Sequence, residues 1–299
     1  MTRREFNRHS LAAAAAFMLP RLVRAAQPPP SMNAVDTHAH IFRRDLPMVA
    51  GRRYTPDYDV TAENFLQQLD AHGIARGVLI QPSFLGTNNS YLLDALRRYP
   101  QRLRGVAVVD PTVSEDVLAE FAATGVVGLR LNLVGLTLPD FSAEPWPKLL
   151  RRVAKLDWHI EIHREAKDVP AILGSLLKAG VKVVVDHFGR PDPALGIKDP
   201  GFQGLLKFGE SRRVWVKLSG AYRNGAEGRG EAIASAAVPL LRGAFGPAGL
   251  VWASDWPHTQ FEKTANYAAV RAQFDTWITD PAEHTAILCD TPAKLFHFV

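Results

Sequence analysis

Eight short apolar, β-branched runs alternate along this chain with eight helix-length amphipathic segments, and few folds accommodate that rhythm. The runs fall at 35–38, 77–81, 104–109, 126–133, 158–163, 181–187, 214–219 and 250–254. Segments of predicted helix follow them at 62–72, 90–99, 114–124, 146–155, 169–179, 202–210, 231–245 and 264–279. Eight strands, each followed by a helix, in about 250 residues predict an α/β fold of the closed (β/α)8 TIM-barrel type. An open doubly wound sheet shares the alternation, but it usually carries a Gly-rich phosphate loop after a strand, and none is found. Continuous runs such as 181–185 also suit strands buried on both faces. A last segment, 291–296, reads as a capping helix with proline at its first position.

The N-terminus is organised differently. Arg3-Arg4, the alanine run 12–16 and the small residues Ala25-Ala26 come in the order of a twin-arginine export signal over 1–26. The competing reading is a frayed N-terminal helix. Residues 27–33 form a Pro-rich linker, and 34–299 a single domain. The signal implies the Tat export machinery as a partner and a periplasmic destination. It also explains the charge: five arginines against Glu5 supply four of the five net positive charges. The remainder is nearly neutral, without a basic run, so no nucleic-acid surface is expected. No later stretch is long and apolar enough for a stable membrane anchor. Cys289 has no second cysteine to pair with and reads as a small buried residue. Nothing in the chain specifies an oligomeric state.

Chemistry concentrates where the runs end. In Asp36-Thr37-His38-Ala39-His40, alternation puts both imidazoles on one face, roughly 7 Å apart along an extended strand. The runs ending at His163, at Asp186-His187 and at Asp255 bring further ligand-type side chains to strand ends. In a barrel these meet at one mouth, where barrel active sites lie. Imidazole and carboxylate donors suit one divalent metal, zinc above all, with a position open for water. An aspartate there can take the water's proton and pass it to the leaving group. Taken alone, Asp255 can equally cap its turn, and His72, His159, His284 and His297 read as hydrogen-bonded core or surface residues.

Arg130, Arg190, Lys217 and Arg223 follow or end predicted strands and point to a small anionic substrate, since arginine grips carboxylates through paired hydrogen bonds. Arg130 has an equal alternative as an ion pair with Glu161 or Asp186 inside the barrel. Lys217 is either a rim residue or wedged between strand and helix. His258 is placed for a carboxylate or leaving group, or for bonding its own turn. Asn88, with Ser83 and Asn89, can orient a substrate from the loop after strand 2.

These residues also carry a family likeness. The His-x-His start, His163, 185–192 (Val-Asp-His-Phe-Gly-Arg-Pro-Asp), 253–258 (Ala-Ser-Asp-Trp-Pro-His) and the ending 290–296 resemble the amidohydrolase-2, or amidohydrolase-related, family over most of the chain. Tyr54-Thr55-Pro56 and 128–132 are similar to its pyrone-dicarboxylate lactonase branch. The resemblance implies His38, His40, His163 and Asp255 as metal ligands, His187 as a nearby acid/base, and Arg190 on a substrate carboxylate. In the resembling lactonase no metal is used and tyrosine stands where this chain has His163; here the histidine is present, which points to a metal enzyme. The expected reaction is opening of a small carboxylated lactone by activated water. Two alternatives are non-oxidative decarboxylation of an aromatic or unsaturated acid with the same ligands, and a catalytically silent barrel that binds a carboxylate.

Overall fold

A computed structural model describes residues 33–298. Residues 1–26, read above as an export signal, most of the expected linker and Val299 lie outside the described residues. Eight parallel strands run in sequence order: β1 (Val35–Ala39), β2 (Arg76–Ile80), β3 (Leu103–Ala107), β4 (Val126–Asn132), β5 (His159–His163), β6 (Lys182–Val185), β7 (Val214–Leu218) and β8 (Leu250–Trp252). Parallel ladders join each neighbour from β1 to β8, with a register shift between Asp36 and Ala39 in the first and at Gly105–Val106 in the third. The ring closes through a looser seam. A parallel bridge joins Ala39 to Trp256, and the Asp255 and His40 amides donate to His38 O and Trp256 O at 2.9 and 2.8 Å. Asp36 secures that seam from within: Oδ1 accepts from Ser254 N at 2.9 Å and Oδ2 from Tyr267 OH at 3.0 Å. Its burial raises its pKa to about 6.

The helices form the outer layer, with starts written locally. α1 (Ala62–Ala71) opens on a reciprocal cap between Thr61 and Asn64, and the helix Glu115–Thr124 on Ser114. The predicted helix 202–210 instead begins earlier and ends sooner, at Pro200–Leu206, because the Asp199 carboxylate caps Gly201 and Phe202. After β8, the predicted 264–279 helix shortens to Tyr267–Trp277 on an Asn266 cap. A short helix at Pro281–Thr285 leads into a π-helical turn at Ala286–Asp290, which buries Cys289.

The barrel interior is layered, as inward side chains at every second residue require. Lowest lie Val35, Val78, Val106, Val127, Val184 and Val251, packed against Ala293, Leu295, Phe296 and Phe298 of the chain's end. That end, the helix Thr291–Leu295 together with Phe296 to Phe298, closes the floor. Arg76 and Arg104 donate to Phe298 O and His297 O, and both guanidinium groups lie over the Phe298 ring. His159 sits beside Phe296, contrary to the expectation of a hydrogen-bonded histidine: both ring nitrogens are buried without partners among the described residues. Gly128 makes room for it, since an added Cβ would lie 2.5 Å from the imidazole. Above comes a charged layer of Arg130, Glu161, Asp186 and Lys217. The site lies over that.

Candidate active site

His38 is the penultimate residue of β1, which is buried throughout, and His40 lies just beyond the strand, so both imidazoles face the barrel axis, with their Nε2 atoms 3.2 Å apart. Each ring is oriented from behind. His40 Nδ1 lies 2.7 Å from Ile80 O, and a carbonyl only accepts, so His40 carries its proton on Nδ1 and a lone pair on Nε2. His38 Nδ1 lies 3.3 Å from Asp186 Oδ1 and 3.0 Å from Lys217 Nζ. Asp255 brings Oδ1 to 3.8 Å from His38 Nε2 and 4.0 Å from His187 Nε2. Oδ1 has no hydrogen-bond partner among the described residues. His38, His40 and Asp255 thus present donor atoms within 4.8 Å of one another. Two neutral imidazoles and an unpartnered carboxylate oxygen fit a divalent metal.

Burial dominates the electrostatics. It lowers His40 to about 3 and His187 to about 4, and holds His38 and His163 well below the ordinary histidine value. All four rings are therefore neutral near pH 7. Burial opposes the charge on Asp255, yet Arg223, His187 and His38 hold its carboxyl well below the usual range. Beneath the imidazoles, Lys217 pairs with Glu161 and Asp186, and Arg130 Nη2 lies 3.1 Å from Asp186 Oδ2. The two acids share these cations unequally. Burial and the Asp186 charge push Glu161 up to about 8, while Asp186, despite burial, is held low by Lys217, His38 and Arg130.

A cavity of about 230 Å³ opens over this floor, lined by His40, Arg53, Arg130, His163, His187, Arg190, Arg223 and Asp255 among others. The long β1–α1 loop folds across one side. The hydroxyls of Tyr54 and Tyr58 donate to Glu262 Oε1 at 2.7 and 2.6 Å, and Arg53 reaches over to Asn132 Oδ1 at 3.0 Å. Among the described residues, neither Arg53 nor Arg190 is in direct contact with a carboxylate, though the Glu165 charge favours both, and both line the cavity.

Several expected placements change. His163 ends β5 as anticipated, but Arg190 Nη1 lies 3.1 Å from its Nε2 and Arg130 Nη2 lies 3.5 Å from its Nδ1, and it is absent from the converging donor set. Lys217 is fully buried in the charged layer, neither at the rim nor between strand and helix. Inward alternation with Trp215 and Ser219 puts it there. His258 faces the Tyr222 hydroxyl at 2.9 Å and does not line the cavity. Asn88 turns away to accept from Ser90 N and Oγ at 3.3 and 2.7 Å, supporting the start of the helix Ser90–Arg98. Arg130 makes the interior ion pair and also lines the cavity; Arg223 does both as well, through Asp255 Oδ2. Arg53, Ser219, Gly220 and Tyr222 were missed. Ser219 lies 2.9 Å from His187 Nδ1, and a β7-to-loop Ser-Gly step was the available signal.

Comparison with known proteins agrees with this geometry. The chain is 32% identical over 274 residues to a 2-pyrone-4,6-dicarbaxylate hydrolase of Comamonas testosteroni, covering 88% of this chain and 90% of the relative. It is 29% identical to a 4-sulfomuconolactone hydrolase of Hydrogenophaga intermedia, over 92% of this chain and 91% of the relative. A crystal structure from Acinetobacter baumannii with citric acid bound, described as a candidate 2-pyrone-4,6-dicarboxylic acid hydrolase, superposes with a TM-score of 0.86 at 42% identity. It covers 89% of this chain and all (100%) of that one. The sequence profile of the amidohydrolase family matches residues 35–298. With eight strands, a His-x-His start and an aspartate after β8 in one mouth, this chain belongs to the amidohydrolase family.

Proposed function

We propose that this chain is a hydrolase that opens a small lactone carrying at least one further acidic group. The observation that carries the reading is Asp255 Oδ1: an ionised, buried carboxylate oxygen, unpartnered among the described residues, beside two neutral imidazoles and under a cavity lined by Arg53 and Arg190. Arg190 and Arg53 hold the substrate's acidic group by charge-assisted hydrogen bonds. Asp255 accepts a proton from water as the water oxygen bonds to the ring carbonyl carbon. Collapse breaks the ring C–O bond, and the same proton is delivered to the departing oxygen, with the His187 imidazole alongside to pass it on. His38, His40 and Asp255 would hold a divalent ion, zinc by the chemistry of the donor set, and that ion would add Lewis acidity at the carbonyl and the attacking water. Lactone hydrolases among the relatives and citric acid in a similar structure support an acidic substrate.

The test is a pH-indicator assay over lactones bearing none, one or two acidic groups, run on metal-supplemented and chelated protein. Acidic lactones are expected to turn over, and Asp255→Asn to lose on the order of 10³-fold while remaining folded. Release of carbon dioxide from an aromatic acid without lactone opening overturns the reading. The export reading rests on 1–26 and is tested by fractionating cells that express the full chain; a cytoplasmic, uncleaved product overturns it.

A further inference from the structure

Tyr222 and His258 take no part in lactone opening by Asp255 and His187, yet both are buried beside Asp255. The Tyr222 hydroxyl lies 2.8 Å from Asp255 Oδ2 and 2.9 Å from His258 Nδ1. An ionised carboxylate only accepts hydrogen bonds, so the single phenolic proton goes to Oδ2. The phenol oxygen then accepts from His258, which must carry its proton on Nδ1. Direction along the chain is thereby forced, from His258 to Tyr222 to Asp255. The other nitrogen, Nε2, is left bare, and it has no partner among the described residues. Backbone geometry fixes the histidine in place: its amide donates to Asp255 O at 2.8 Å, and φ is +65°.

We propose that Tyr222, backed by His258, is the positioning residue for Asp255. Tyr222 and Arg223 together tie down Oδ2, so Oδ1 alone is presented to the reacting centre. With one donor the carboxylate can pivot; with two it cannot. Tyr222 is not among the cavity-lining residues, so its effect falls on the chemical step and leaves substrate capture alone. The proposal rests on Asp255 as proton acceptor, and its test separates the two.

Tyr222→Phe is expected to lower kcat by about 10- to 100-fold with KM within about two-fold. Nitrogen-15 NMR of the wild-type imidazoles is expected to show His258 protonated on Nδ1, and Tyr222→Phe to lose that preference. His258→Asn keeps a donor near the Nδ1 position and should retain kcat within about three-fold, whereas His258→Leu should fall as far as Tyr222→Phe. The double variant, Tyr222→Phe with His258→Leu, should fall no further. Unchanged kcat in Tyr222→Phe, a KM that rises as kcat falls, or a wild-type His258 protonated on Nε2 overturns the proposal. Should Tyr222→Phe fail to fold, the His258 pair decides. Should the wild-type chain open no lactone, the reaction reading fails and the tautomer measurement alone upholds or overturns the positioning role.

Discussion

Gly220 is the position where one added methyl group separates catalysis from stability. It comes after β7 with φ +56° and ψ +45°, and a Cβ built there lies 2.9 Å from both Asp255 Oδ2 and His187 Nδ1. Neither neighbour can yield cheaply, because Tyr222 and Arg223 fix the carboxylate while Ser219 holds the imidazole. Gly220→Ala therefore carries two costs. The left-handed backbone costs an L-residue about 1–2 kcal/mol. Displacing the acid/base pair costs up to about 10²-fold in kcat for an ångström of misplacement, or about 2.7 kcal/mol in activation free energy. Gly228 supplies the control, with φ +77° and nothing within 4 Å of an added Cβ. Denaturant unfolding and steady-state lactone opening, measured on both variants, should show a loss of stability in each, larger in Gly220→Ala, but a kcat loss in Gly220→Ala alone. Wild-type kcat in Gly220→Ala, or an equal loss in Gly228→Ala, refutes the reasoning.

Arg190→Met should raise KM by about 10- to 100-fold, the loss of one charge-assisted hydrogen bond, and change kcat little; equal KM values for the variant and wild type on every acidic lactone would remove Arg190 from the site. Burial lowers His40 and His159 to about 3 and His187 and His258 to about 4, whereas the unfolded chain protonates near 6.5. Stability from these groups is therefore complete above pH 6.5 and lost as pH falls, towards 4 for His187 and His258 and towards 3 for His40 and His159, by about 1.4 kcal/mol per pH unit for each histidine. Circular dichroism against pH should show a steep acid transition, and His159→Leu, on the barrel floor, should move its midpoint down and spare turnover. Phe296→Ala should cost about 3–5 kcal/mol by unplugging that floor, measured by urea denaturation, with wild-type stability as the contrary result.

The strand ends were legible because a barrel strand is an unbroken apolar run, and a ligand-type residue closing such a run stands out. That is how His38, His40, His187 and Asp255 were found. Lys217 and Arg130 were harder, since a cation within an apolar run reads equally as a substrate group. Parity was the unused clue: Trp215 packs on the barrel floor and Ser219 reaches His187, so Lys217 between them must face the same interior. His163 was found at its strand end, but Arg130 of β4 and Arg190 beyond β6 lie against its two nitrogens, and no local spacing encodes that. Arg53 was hidden for a different reason. Its loop carries no periodic pattern, and only the path of the backbone brings it over the mouth.

The seam between the first and last strands has a consequence for the order of assembly. The histidine pair is made early in synthesis, and the aspartate facing it arrives some two hundred residues later, as the 215 positions between Thr37 and Trp252, joined across the seam, illustrate. Floor-sealing Phe296 and Phe298 come later still. A nascent chain therefore holds half of its reactive mouth long before it can meet the other half, and pairing so remote is slow to form. The enzyme gains its chemistry in one step, at the moment the ring shuts.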